Sequence, residues 1–431
     1  MRTSSDTADD IVAEGWGVDA DTASPEVDVR TAHPAPAAGA CASYPWRRLR
    51  ATQQPSWSDQ GVLRAVVQEL GTRTPLVEPQ ECERLRSRLA RVAQGEAFLL
   101  QAGDCAEDLS QVGPAAVRAK LSTMAQMAAI LRAALGVEVV TVGRMAGQYA
   151  KPRTETREQR GELSLPAYRG DAVNGVEFHP ATRAPDASRL LRAYEASAVT
   201  LAHMRQFAEE AGTGEVFSSH EALLLDYETA LLRPGPAAGR RYASSASMIW
   251  IGHRTRELDG AHVEFARHVD NPIGVKVGPD ATAEELLALA RLVDPDRVPG
   301  RLTFIVRMGA AHVRRLLPPL VDAFATAGVG VGWVCDPMHG NTVRADGGRK
   351  TRRLADIIAE VHGFFEVHRS LGTWPGGLHL ELTGEDVTEC LGGSDEVRTE
   401  HLHQRYTTLC DPRLNRSQSV DLALALLASF G

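Results

Sequence analysis

The sequence predicts a (β/α)8 TIM barrel with a helical N-terminal extension, on three observations. Eight short apolar runs recur at 97–102, 137–143, 215–219, 248–253, 272–277, 302–307, 329–335 and 377–382. Helical stretches separate most of them, at 114–135, 187–211, 220–233, 283–293, 310–327 and 352–370. Several runs end abruptly in reactive side chains, which is how a parallel α/β fold gathers groups on one face. The run EVFSS is the weakest of the eight. Without it, an open doubly wound sheet is the alternative.

Taken in order, residues 1–43 are rich in Ala, Pro, Asp and Thr and lack periodicity, so they are expected to form a disordered tail. Residues 44–95 open on YPWRRLRATQQPSW and continue with amphipathic stretches near 58–70 and 79–94, a helical extension. Residues 96–431 hold the barrel. Two helices inside it have start signals: Ser218-Ser219-His220-Glu221 before ALLLDYETALL, and Thr282-Ala283-Glu284-Glu285 before LLALARLV. Both match a capping box. A last helix, 416–429, closes the chain.

Composition excludes several classes. Lys and Arg number 47 against 55 Asp and Glu, a net charge of −8, which argues against bulk binding to nucleic acid or anionic membranes. No apolar run approaches the roughly 20 residues of a membrane span, and MRTSSDTADD lacks the regions of a secretory signal. A soluble cytoplasmic protein is expected. The six cysteines, Cys41, Cys82, Cys105, Cys335, Cys390 and Cys410, are scattered without CxxC pairs, so structural disulfides are not expected. Only Lys120, Lys151, Lys276 and Lys350 are lysines. Two of them, Lys151 and Lys276, fall in Gly- and Pro-punctuated motifs, and Lys and Arg are not interchangeable at a site.

The strand ends carry two kinds of group. One suits a metal: Cys105 after AFLLQAGD, His339 in VGWVCDPMHGN and Glu381 in GGLHLELTGE. His379 and Glu381 are two apart on one strand and face the same side. Cys335 and Asp336 end another strand, and a second CDP stands at 410–412. Mixed soft and hard donors suit Mn²⁺, Fe²⁺, Co²⁺ or Zn²⁺ rather than Ca²⁺. The other kind suits anions. Arg144, Arg254, Lys276 and Arg307 end four different strands, each flanked by apolar residues or Gly. GRMAGQYAKPR adds Lys151 and Arg153 on a loop where Gly147 permits close backbone approach. The plainer alternatives are structural buried Cys and His, and surface ion pairs. RKTRR at 349–353 reads as the solvated start of a helix, and Trp250 and Trp333 read as core by residue type.

These motifs occur together in one order. WRRLRATQQPSW, GEAFLLQAGDCAE, GRMAGQYAKPR, YRGDAVNG, SSHEALLLDYE, WIGHRTRELDGAH, NPIGVKVGP, RLTFIVRMG, CDPMHGNT, GFFEVHRSLGTWPGGLHLELTGEDVTECLGG and CDPRLN span roughly 46–430. The set resembles the class II (plant-type) 3-deoxy-D-arabino-heptulosonate 7-phosphate (DAHP) synthases.

The resemblance implies a transferase that condenses phosphoenolpyruvate with erythrose 4-phosphate, the first step of the shikimate route to aromatic compounds. By motif, the metal ligands become Cys105, His339, Glu381 and Asp411. His379 and Asp336 then lie behind the ligands or are structural. Arg144, Lys276 and Arg307, with Arg254, are implied for phosphoenolpyruvate, Lys151 and Arg153 for the aldose phosphate. Trp250 and His253 join the substrate-binding set. The implied cofactor is a divalent metal, Mn²⁺ first, with Co²⁺, Fe²⁺ or Zn²⁺ as alternatives. A homo-oligomer and a chorismate mutase are the implied protein partners.

Two departures stand out. The family usually reads WIGERTR, and His253 replaces the Glu. This motivates an amino-sugar or other aldose phosphate as the alternative substrate; a weakened paralogue acting as a binding partner is the alternative of another class. The segment before SSHEA is short where many members carry regulatory elements, so little feedback inhibition and a role in secondary metabolism are expected. Cys410 adjoins Asp411, which makes a reversible Cys105–Cys410 disulfide conceivable.

Overall fold

The structure, a computed structural model, describes residues 44–235 and 239–430. The tail expected over 1–43 lies outside the described residues. Eight parallel strands close into a barrel: β1 (Ala97–Gly103), β2 (Glu138–Arg144), β3 (Phe217–Glu221), β4 (Met248–Ile251), β5 (Ile273–Val277), β6 (Leu302–Val306), β7 (Gly332–Cys335) and β8 (Gly377–Glu381). Each strand pairs with its neighbours in sequence, and β1 pairs with β8 to close the ring. Most of the runs are largely apolar because barrel strands are buried on both faces; β3, Phe-Ser-Ser-His-Glu, is the polar exception.

The floor of the barrel explains the N-terminal extension. Helix α1 (Gln60–Thr72) is capped by Asp59, whose carboxylate accepts from the backbone N–H groups of Gly61 (2.7 Å) and Val62 (3.0 Å). Helix α2 (Pro79–Ala93) starts with Pro at its first position. Its Leu85, Leu89 and Val92 recur at helical spacing and join Leu99, Val140, Val142, Phe217, Met248 and Val334 in one apolar cluster. The extension thus plugs the N-terminal end of the barrel and leaves the other end open for chemistry.

Three local expectations are corrected. Ser218-Ser219-His220-Glu221 is the body of β3, not a helix cap. Ser219, His220 and Glu221 pair with Met248, Ile249 and Trp250 of β4, and the Ser219 hydroxyl donates to Gly143 O (2.9 Å). The barrel ladder overrides the local capping signal. The helix expected over 220–233 shrinks to Leu225–Ala230. The helix expected over 310–327 breaks into Val313–Leu316 and Pro318–Thr326, because Pro318 has no N–H to continue the ladder. The Thr282 cap forms, with Thr282 Oγ1 accepting from Glu285 N at 3.2 Å. Among the described residues no helix is long and apolar enough to cross a membrane.

Candidate active site

The C-terminal strand ends open into a cleft of about 240 Å³. Its wall takes Arg144 from the end of β2, Glu221 from β3, Trp250 from β4, His253 and Arg254 just beyond, Lys276 from β5, Arg307 after β6 and His339 after β7. Lys151, Arg153 and Thr154 come from the loop after β2, and Thr342, Lys350 and Asp411 from later loops. Seven cations face two carboxylates here, in a chain of net charge −8. The acidic total therefore hides a local basic pocket.

Beneath one end lies the donor cluster. Cys105 Sγ and carboxylate oxygens of Glu381 and Asp411 lie within 4.8 Å of one another. His339 Nε2 is 3.2 Å from Glu381 Oε1. His339 turns that nitrogen inward because its Nδ1 faces Asp336 Oδ2 at 2.8 Å, the arrangement that orients a metal-binding imidazole. Arg352 Nη2 is 2.9 Å from Glu381 Oε2, yet that oxygen has no aligned hydrogen bond. One thiol, one imidazole and two carboxylates with a spare acceptor fit a divalent transition metal. Lys151 Nζ reaches the same donors, 2.6 Å from Cys105 Sγ and 3.1 Å from both Glu381 Oε1 and Asp411 Oδ2.

Electrostatics separate the groups. Burial alone would lift Glu381 and Asp411, but Lys151 and Arg352 hold both carboxylates low. Burial pushes the Cys105 thiol up, and the nearby carboxylates add to this. Burial keeps His339 below the usual imidazole range despite Asp336 and Glu381. The Lys276 ammonium is pulled down to about 8 by burial, against the opposing pull of Asp336.

The other end has open hydrogen-bonding capacity. Arg144 Nε, Glu221 Oε1, Trp250 Nε1 and Arg307 Nε are buried and lack a protein partner. Arg144 lies over the Trp250 ring, its Cζ 5.2 Å from the centroid. Trp250, read by residue type as core, is both buried and part of the wall; Trp333 packs with Phe304 and Phe324 in the core. Arg254 Nη2 donates to Thr154 Oγ1 (2.6 Å), and Arg153 Nη2 lies 3.3 Å from Cys410 Sγ. His253 turns towards Asp280, with Nε2 3.5 Å from Oδ1, and burial keeps its ring below the usual range. Cys335, a candidate by position, is buried in the barrel's apolar core.

Two groups were missed by sequence reasoning. RKTRR leads into a helix with Arg349 and Arg353 exposed, as expected, but Arg352 is fully buried and donates to Pro412 O, and Lys350 Nζ lies 2.7 Å from Asp411 Oδ1 in the cleft wall. Glu221 was hidden in an apparent capping box. Burial raises its carboxyl against the pull of Lys151, Lys276, Arg144 and Arg254. Gly147 is needed because a Cβ there would sit 2.3 Å from His220 Nδ1, and its φ is +150°.

A sequence model described as the class-II DAHP synthetase family matches residues 42–215 and 208–427. A phospho-2-dehydro-3-deoxyheptonate aldolase of Streptomyces coelicolor is 50% identical over 433 residues, covering 89% of this chain and 96% of its own length. One from Mycolicibacterium smegmatis is 44% identical over 426 residues, covering 86% and 91%. A solved DAHP synthase of Thermotoga maritima aligns over 76% of this chain and 68% of its own, at 16% identity and a TM-score of 0.38. The family match and the two sequence relatives place the chain, an enzyme, in the class-II DAHP synthetase family.

Proposed function

We propose that the chain condenses phosphoenolpyruvate with erythrose 4-phosphate, releasing DAHP and inorganic phosphate. The observation that carries this reading is the meeting of seven cations with the Cys105/Glu381/Asp411 cluster, His339 beside it, at one barrel mouth. Two phosphorylated substrates repel each other, and fixed cations from separate strands offset that repulsion and align the reacting carbons. Arg144, Arg254, Lys276 and Arg307 hold the carboxylate and phosphate of phosphoenolpyruvate. Lys151 and Arg153 hold the phosphate of the aldose, with Lys350 beside them.

Cys105, His339, Glu381 and Asp411 would hold the metal, Mn²⁺ first, which when bound polarises the aldehyde oxygen. C3 of phosphoenolpyruvate bonds to the aldehyde carbon, and the aldehyde oxygen takes a proton. C2, left cationic, takes water, which gives up one proton on bonding. The remaining hydroxyl gives up the other as C2 becomes the ketone, and the C2–O bond breaks with its electron pair leaving on phosphate. The two protons balance those gained by the aldehyde oxygen and the phosphate. Glu221 stands at the phosphoenolpyruvate end with an unpartnered oxygen, and its raised carboxyl makes it the stronger proton acceptor for this water.

His253 supports a second reading, in which an amino-sugar or other aldose phosphate replaces erythrose 4-phosphate. Residues 212–216 alone link the preceding helix, Arg189–Ala211, to β3, which supports weak feedback inhibition and a role in secondary metabolism. The test is phosphate release from phosphoenolpyruvate with a panel of aldose phosphates, wild type beside His253→Glu. Fastest turnover with erythrose 4-phosphate supports the first reading. A faster rate with another aldose moves the assignment to the second; an equal or better rate with erythrose 4-phosphate sinks the second.

A further inference from the structure

We infer that His379 is a tautomer-locked positioning residue that ties Arg144 and Lys276 together at the floor of the cleft. His379 lies in β8 and is fully buried. Its Nε2 is 2.8 Å from Lys276 Nζ and also meets Arg144 Nη1. Both neighbours are donors without acceptor capacity. A proton on Nε2 would point at theirs, so this nitrogen must present its lone pair.

The far side of the ring reaches the same answer independently. Nδ1 is 2.7 Å from Gln101 Oε1. Gln101 Nε2 is 2.9 Å from Ser219 Oγ, and Ser219 Oγ is 2.9 Å from Gly143 O. A backbone carbonyl only accepts, so the Ser219 hydroxyl donates to it and accepts from the Gln101 amide. The Gln101 carbonyl then faces Nδ1, which carries the proton. Two ends of one chain, a carbonyl and a pair of cations, dictate a single polarity from Gly143 to His379 across four strands. The Trp250 ring meets His379 at right angles, 5.1 Å between centroids, and fixes the plane of the imidazole.

One lone pair shared by two donors holds both cations at a set separation without supplying a countercharge. Arg144 already pairs with Glu381 at 3.1 Å and Lys276 with Asp336, and the neutral imidazole adds no further countercharge. A carboxylate in its place would add a third negative charge against two cations. The kinetic consequence rests on the reading that Arg144 and Lys276 hold phosphoenolpyruvate; the tautomer does not.

The test has two arms. In the first, the protein is labelled with ¹⁵N-histidine, and the His379 ring is assigned by the signals lost in His379→Gln. The expected spectrum is that of a neutral ring protonated on Nδ1. A ring protonated on Nε2, or an imidazolium, overturns the inference. In the second, Gln101→Met removes the acceptor for Nδ1 while keeping volume. The KM for phosphoenolpyruvate rises on the order of tenfold, and the KM for the aldose phosphate stays put. His379→Gln, which can still offer an oxygen to the cations, outperforms His379→Leu. Equal losses for both substrates, or no advantage of Gln over Leu, reduce His379 to a packing residue. Locked tautomer with unchanged kinetics would overturn the phosphoenolpyruvate assignment of the two cations instead.

Discussion

Lys276 offers the sharpest prediction. Its ammonium is buried beside Arg144, with Asp336 as the compensating charge. The drop from 10.5 to about 8 corresponds to about 3 kcal/mol of net penalty on the charged form. The clamp needs the ammonium, and the charged fraction falls as pH rises. kcat/KM for phosphoenolpyruvate should therefore be flat up to about pH 8 and fall about tenfold per pH unit above it. Bound phosphoenolpyruvate adds negative charge and should move the same limb upward in kcat. The control is Lys276→Arg, because a guanidinium does not titrate in this range. Its activity should be lower throughout, since the fork does not fit a point-charge site, but the limb near pH 8 should vanish. A limb that persists unchanged in Lys276→Arg would refute the assignment. So would wild-type activity that stays flat to pH 10.

Three further outcomes follow from the geometry. Asp336→Asn should weaken Mn²⁺ binding roughly 10–100-fold by calorimetry, because the His339 ring loses the carboxylate that orients it. Gly147→Ala should destabilise the fold by about 2 kcal/mol or more, seen as a lower urea midpoint at constant slope, since its Cβ would meet His220 Nδ1 at 2.3 Å. Cys410, whose thiol is pulled down to about 7 by its contact with Cys105 and by Arg153, should be the oxidant-sensitive cysteine. Peroxide should then join it to Cys105 and abolish activity, a thiol should restore it, and Cys410→Ala should remove the sensitivity; unchanged sensitivity would sink the idea.

Much of the barrel was legible because every strand but β3 is a compact, largely apolar run closed by Gly, Pro or a charged residue. The strand-end cations Arg144, Lys276 and Arg307 were legible for the same reason: a charge at the end of an apolar run stands out. Lys350 and Arg352 did not stand out, because RKTRR looks solvated by composition. Their partners, Asp411 and Glu381, lie far along the chain, and only closure of the barrel brings them together. Glu221 was obscured by the opposite effect, a local motif that matched a helix start while the ladder to β4 claimed the residues. The polarity of the chain from Gly143 O to His379 has no local signal at all, since it joins residues from four strands.

The central claim is that this cleft joins phosphoenolpyruvate to an aldose phosphate with cleavage of the C2–O bond. Turnover of phosphoenolpyruvate carrying ¹⁸O at its bridging oxygen, with erythrose 4-phosphate and Mn²⁺, tests it most directly by ³¹P NMR. The account predicts that the label leaves with inorganic phosphate and that C2 of the seven-carbon product takes its oxygen from water. Label retained at C2, or phosphate released without a condensed product, would contradict it.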